Sequence, residues 1–363
     1  MHSDNFKWLF SLKESILGFL SNLKSVKHQG YYKYSLNGDL YDEQYGWGLG
    51  NSVFAAKIYY MLNEIEEYER EFLINFIKSF QDNHGYIYDR KIERLSRLNR
   101  IVAAIQQRDF NNFFNEQTKR AETRQSFCAL NCLGSKPNTS YLHIPYTKER
   151  IAKYIHKLNW KKPWGAASHV SHIVFFLYYN SVFFNICLDK VNDLIDYALE
   201  VSDDYRQEDG SWYAPGSHIQ THQKVNSAMK MITAFDACGR SKLDNSEGLI
   251  DLCLATINEG DACNNFNIVY VLYHCCKKTD YRSPEIKKYF LERLDLYKRH
   301  YWPQYGGFSF FEGKANSTYY WARISKGLPE PDIHGTMLFL SGIVFISEVL
   351  GIRNELGIRV PFI

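Results

Sequence analysis

The side chains able to do chemistry fall in short polar stretches, each running into an apolar one. His169 and His172 are three apart and share a face of any helix that carries them. They could bind a metal, act as base and orienter, or be hydrogen-bonded structural histidines. His218 and His222, four apart and followed by Lys224, offer the same choices. Asp332 and His334 are two apart, so the carboxylate could fix the imidazole of a functional His334. Asp261 suits a helix cap or a ligand, and Cys263 a buried thiol or a ligand. Glu122 and Arg124 could pair with each other or bind an anion. Trp164 is read either as turn packing or as a substrate contact.

The elements that must position these groups repeat one pattern. Pro331-Asp332-Ile333-His334-Gly335 opens a long apolar run that ends before Gly351. Similar polar openings lie at 45–52, 120–125, 163–172, 215–224 and 260–267. Each leads into a run that is apolar nearly all round, and amphipathic helices are expected between them, as at 4–27, 64–80, 147–159, 187–202 and 285–300. Residues 91–118 read as one or two surface helices. The openings recur at intervals of roughly 40–75 residues, the repeat length of helical-pair arrays. An open array would leave both helices of a pair half exposed. Closure of six pairs buries the inner helix on every side, so the expected fold is all-α, a double-layered α6/α6 toroid. The alternative is an open solenoid. The toroid occupies residues 1–363 as one domain, with an N-terminal helix and loop (1–45), helical-pair repeats (46–351) and a tail (352–363).

The chain has 43 Lys and Arg against 40 Asp and Glu, so the net charge of +3 gives no reason to expect nucleic acid. Aromatics reach 16%, which suits either a Tyr- and Phe-rich core or a lined cavity. No run of about 18 apolar residues is uninterrupted, Ile173–Leu188 coming closest, and Met1–Leu23 lacks the pattern of a signal peptide. The eight cysteines include no CxxC pair and do not form a disulfide framework in a chain this long. The expected setting is cytoplasmic.

Three turns carry a Gln-to-aromatic pattern: Gln81–Tyr86, Gln207–Trp212 and, more loosely, Tyr301–Phe308. They resemble the QW repeats of the terpenoid cyclase and protein prenyltransferase superfamily, and the likeness runs from about residue 46 to 351. The resemblance implies an α6/α6 toroid in which such turns join outer to inner helices. The C-terminal part is most similar to a prenyltransferase β subunit. There an Asp and a Cys two apart, and a His one repeat later, hold zinc. Asp261, Cys263 and His334 match that set, with Gly306-Gly307 and Leu340-Ser341-Gly342 in the corresponding places. Such a set leaves a fourth zinc position open for substrate or water. Two features depart from the family. Residues 254–260 contain no Lys or Arg to hold a diphosphate, and there is no Asp-x-Asp-Asp motif.

In such a toroid the polar openings meet at one mouth of a central cavity. The expected site therefore combines His169, His172, His218, His222, Asp332 and His334 as catalytic groups. Glu122, Arg124, Lys224 and Trp164 would contact substrate. Two kinds of enzyme fit: one acting on an isoprenoid, with zinc assistance, and one acting on a glycan by His, Tyr and Arg acid–base chemistry, as a lyase, epimerase or hydrolase. A non-catalytic binding toroid is the third reading.

Overall fold

A computed structural model describes residues 6–108, 110, 116–240, 243–257 and 260–362. The helices expected over 4–27 and 91–118 extend past these bounds, at 4–5 and at 109 and 111–115, which lie outside the described residues. Fourteen α-helices occur among the described residues. The chain runs α1 (Lys7–Phe10), α2 (Leu12–Leu23), α3 (Leu49–Leu62), α4 (Glu67–Ser79) and α5 (Arg90–Gln107). It continues through α6 (Gln117–Cys132), α7 (Lys148–His156), α8 (Pro163–Phe184), α9 (Val191–Ser202) and α10 (Thr221–Ala237). The last four are α11 (Ser246–Ala255), α12 (Ala262–Cys276), α13 (Ser283–Lys298) and α14 (Ile333–Leu350).

Helices α3, α6, α8, α10, α12 and α14 are the buried ones. Their apolar residues recur on all sides, so each must be covered all round. They pack in succession, α3 on α6, α6 on α8, α8 on α10, α10 on α12 and α12 on α14, and α14 packs in turn on α3. The amphipathic helices lie against them: α4 on α3, α9 on α8, α11 on α12 and α13 on α14. Phe127, Phe175 and Phe176 are fully buried where α6 meets α8, each worth about 1.5–3 kcal/mol of burial. Among the described residues α14 alone is long and apolar enough to cross a bilayer, and most of it is buried in the fold.

The helix ends follow their caps. Asp332 accepts from Gly335 N at the start of α14, and Gly351 is left-handed at its end (φ 77°). Proline opens α8, where its missing N–H is not needed. The α6 start differs from expectation. Residues 117–125 are rich in helix formers and contain no Gly or Pro, so the helix begins at Gln117 and takes in Arg120–Gln125. Glu122 and Arg124 therefore sit within a buried helix, not ahead of one.

The three signature turns share a form, each closed by an antiparallel bridge: Gln81 to Ile87, Arg206 to Trp212, and Trp302 to Gly307. The last belongs to a hairpin of β1 (Tyr301–Trp302) and β2 (Gly307–Phe308). Gly306 is left-handed there, and a Cβ on it would come 2.1 Å from the Ser15 carbonyl oxygen of α2. A second hairpin, β3 (Thr318–Tyr319) with β4 (Ala322–Arg323), packs on α5.

Candidate functional site

Two cavities adjoin between the buried helices. The outer chamber has a volume of about 630 Å³ and the inner one about 340 Å³. Arg124, Gln125, Trp164, Lys230 and Tyr320 line both, so these five residues mark the junction. Phe54, Phe266, Met337, Leu338 and Phe362 supply much of the apolar lining of the inner chamber. The outer chamber is more polar and holds Arg100, Lys161, Lys162, His169, His172 and His218. Among the described residues no Asp or Glu lines either chamber.

Three cations from three buried helices surround the inner chamber: Lys57 of α3, Arg124 of α6 and Lys230 of α10. Lys57 is held by a hydrogen bond to the Gln125 amide oxygen. Arg124 lies over the Phe175 ring, 5.0 Å from its centroid. Burial, and then the Arg124 charge, pushes the Lys230 amine down to about 8, and burial lowers Lys57 as well. These shifts are what burial beside another positive group produces in an enclosed site. An anionic ligand in the inner chamber would be drawn to these cations.

The histidines divide between the chambers. In the outer one His169 accepts at Nδ1 from the Tyr154 hydroxyl, 3.1 Å away, and Arg120 Nη1 donates to that hydroxyl over 2.6 Å. Arg120 can only donate, so the tyrosine oxygen accepts from it, and Nδ1 is the acceptor within reach of the tyrosine's own proton. That leaves the proton of neutral His169 on Nε2, which has no partner among the described residues. Burial, then Arg120, pushes His169 down to about 3; burial and then Arg124 lowers His172 well below the ordinary histidine value. The two rings are 6.4 Å apart. His334 lies in the inner chamber, stacked on Phe54 with centroids 4.5 Å apart, and burial pushes it down to about 3. His218 is exposed on the outer chamber.

Several expected site residues have other work. Asp332 does not orient His334: its oxygens accept from Gly335 N (2.7 Å), Phe310 N (2.8 Å) and Asn316 N (3.1 Å). Glu122 accepts from Asp89 N and lies outside both linings. Lys224 pairs with Asp209 at 2.8 Å, and neither it nor His222 lines a chamber. Asp261 caps α12, one oxygen accepting from Asn264 N and the other from Asn264 Nδ2. Cys263 and His334 share the inner wall, but Asp261 does not, and no group of three His, Cys, Asp or Glu that could hold a metal occurs among the described residues. Burial, then the Asp261 charge, pushes the Cys263 thiol up to about 12. Among the described residues, those present do not assemble the zinc set that the family likeness implies.

Lys57, Lys230, Tyr320 and Trp321 were not among the expected residues. The first two carried a signal. Each is a lone cation in an otherwise apolar helical run, a place where lysine is rarely found without a reason. Comparison with protein-family models, curated proteins and solved structures finds no match.

Proposed function

We propose that the chain is an enzyme of the terpenoid cyclase and prenyltransferase-like toroid class, acting on an isoprenoid diphosphate held in a central cavity. The succession of buried helices that returns from α14 to α3, with amphipathic helices outside, supports the α6/α6 toroid. The observation that carries the substrate class is the junction of the chambers. Arg124 and Lys230 stand there, Lys57 lines the inner chamber beside them, and the same chamber carries the apolar side chains of Phe54, Phe266 and Met337. An amphipathic anion satisfies both halves: its head takes the cations and its chain takes Phe54, Phe266 and Met337.

The cations also suit the chemistry. As the bond from carbon to the diphosphate oxygen breaks, negative charge grows on the leaving group, where the three positive groups already stand. The aromatic faces of Phe54, Phe266 and Tyr319 favour the positive charge left on carbon. This answers the missing basic residues before Asp261, since the cations come from α3, α6 and α10 instead.

A second reading is a glycan enzyme. The polar outer chamber favours it, where His169 presents Nε2–H beside His172 and Arg124. Arg124 and Lys230 would then neutralise a uronate carboxylate.

Calorimetric titration with farnesyl diphosphate and with farnesol separates these readings. Charge-assisted hydrogen bonds of about 1.5–3 kcal/mol each predict at least about tenfold tighter binding of the diphosphate. Equal affinity for both, or no binding of either, would overturn the isoprenoid reading.

A further inference from the structure

The β3–β4 hairpin turns through two residues, Tyr320 and Trp321, and both are left-handed, at φ 43° and 68°. Turns of this form ordinarily use Asn-Gly or Gly, because a Cβ at positive φ crowds the backbone. Two bulky aromatics here work against stability, and burial does not offset the cost at Trp321, which is 52% exposed. Strain of this kind persists where the surroundings enforce it, and it is a pointer to function. The enforcing contact is visible: Asn99 Nδ2 of α5 donates to the Trp321 carbonyl at 2.9 Å.

The strained turn aims its side chains at the cavity. Tyr320 stands at the junction of the chambers, and Trp321 lines the outer one. Trp164, 37% exposed, lines the outer chamber as well. The side-chain amides of Gln117, Asn159, Gln220 and Gln223 line the same chamber. Flat apolar faces beside hydrogen-bonding amides recognise a sugar ring, whose C–H face stacks while its hydroxyls are bonded at the edge. Lys161 on the chamber wall adds a preference for an anionic ring, while Arg100 is already paired with Glu93 at 3.1 Å.

We propose that Trp321 and Trp164 form a second binding subsite, at the outer chamber, that takes an acidic pyranose ring such as a uronic acid. Tyr320 separates this subsite from the inner chamber. The subsite stands on the outer chamber alone, whichever substrate the inner chamber takes.

The test is a tryptophan-fluorescence titration with methyl glucuronide and with methyl glucoside. The wild type, Trp321→Ala and the double variant Tyr320→Asn/Trp321→Gly are compared. The glucuronide is expected to bind the wild type more tightly than the glucoside does, and at least about tenfold more tightly than it binds Trp321→Ala. The double variant relieves the turn, so it is expected to melt about 2–4 °C higher while losing glucuronide binding. Glucuronide binding that is absent from the wild type, or unchanged in Trp321→Ala or in the more stable double variant, would overturn the subsite. Farnesyl diphosphate titrated alongside should bind wild type and Trp321→Ala alike. Its failure with glucuronide binding intact would remove the isoprenoid reading and leave the subsite standing.

Discussion

The Tyr154 hydroxyl lies 3.1 Å from His169 Nδ1, and donation of its proton there places the proton of the neutral ring on Nε2. Arg120 favours that direction, because its 2.6 Å contact uses the tyrosine oxygen as acceptor and leaves the phenol proton to find an acceptor of its own. Nitrogen-detected NMR of wild-type protein is therefore expected to show His169 as the Nε2–H tautomer at neutral pH. In Tyr154→Phe the ring should lose that preference and populate both tautomers. The variant should also lose about 1–3 kcal/mol of stability, since a buried Arg120 N–H loses its acceptor. An Nδ1–H tautomer in the wild type would contradict the arrangement.

Asp332 holds three backbone N–H groups and lies outside both chamber linings. Burial pushes its carboxyl up to about 7, although three backbone N–H donors oppose the shift. Asp332→Ala strands those donors and is expected to cost about 3 kcal/mol or more, read by denaturant unfolding. Asp332→Asn keeps one acceptor oxygen and should cost less. Folded Asp332→Asn protein should bind ligands like the wild type, and a specific binding loss would restore a direct role for Asp332.

Lys230 predicts a pH signature. Its folded value is near 8 against 10.5 for the free side chain, so between those values the unfolded chain binds more protons. Stability contributed by this group therefore rises with pH across that window, and below about 8 the buried charge is a full cost. Lys230→Met is expected to be more stable than the wild type at pH 7, and that advantage should shrink from pH 8 to 10.5. The stability difference between the two proteins, followed by urea unfolding across pH 7–10.5, checks it. A constant difference would show that Lys230 is not held in an uncompensated site.

Much of the helical framework was legible because its signals are local. α14 could be read from Asp332 at one end and Gly351 at the other, with apolar residues between. The start of α6 was not, because the charges of Arg120, Glu122 and Arg124 outweighed the helix-forming character of residues 117–125 in the sequence pattern. Arg124, His169, His172, His218, Trp164, Cys263 and His334, named from the sequence, line the chambers. Asp332, Asp261 and Lys224 lie off both linings, because an acid or lysine beside a helix start is as readily spent on a cap or an ion pair as on a substrate, and Glu122 accepts from a backbone N–H instead. The Tyr320-Trp321 turn lacks the Asn-Gly signal of a tight hairpin, so its position could only come from the fold.

The cation cluster around the inner chamber is the central feature of the site, and thermal melting with inorganic pyrophosphate tests it most directly. At a concentration about a hundred times Kd, the wild type should gain about 2.7 kcal/mol, a rise of about 3–4 °C in Tm. Arg124→Ala and Lys230→Met should show little or none of that rise. Equal shifts in all three proteins, or no shift in the wild type, would contradict an anion site formed by Lys57, Arg124 and Lys230.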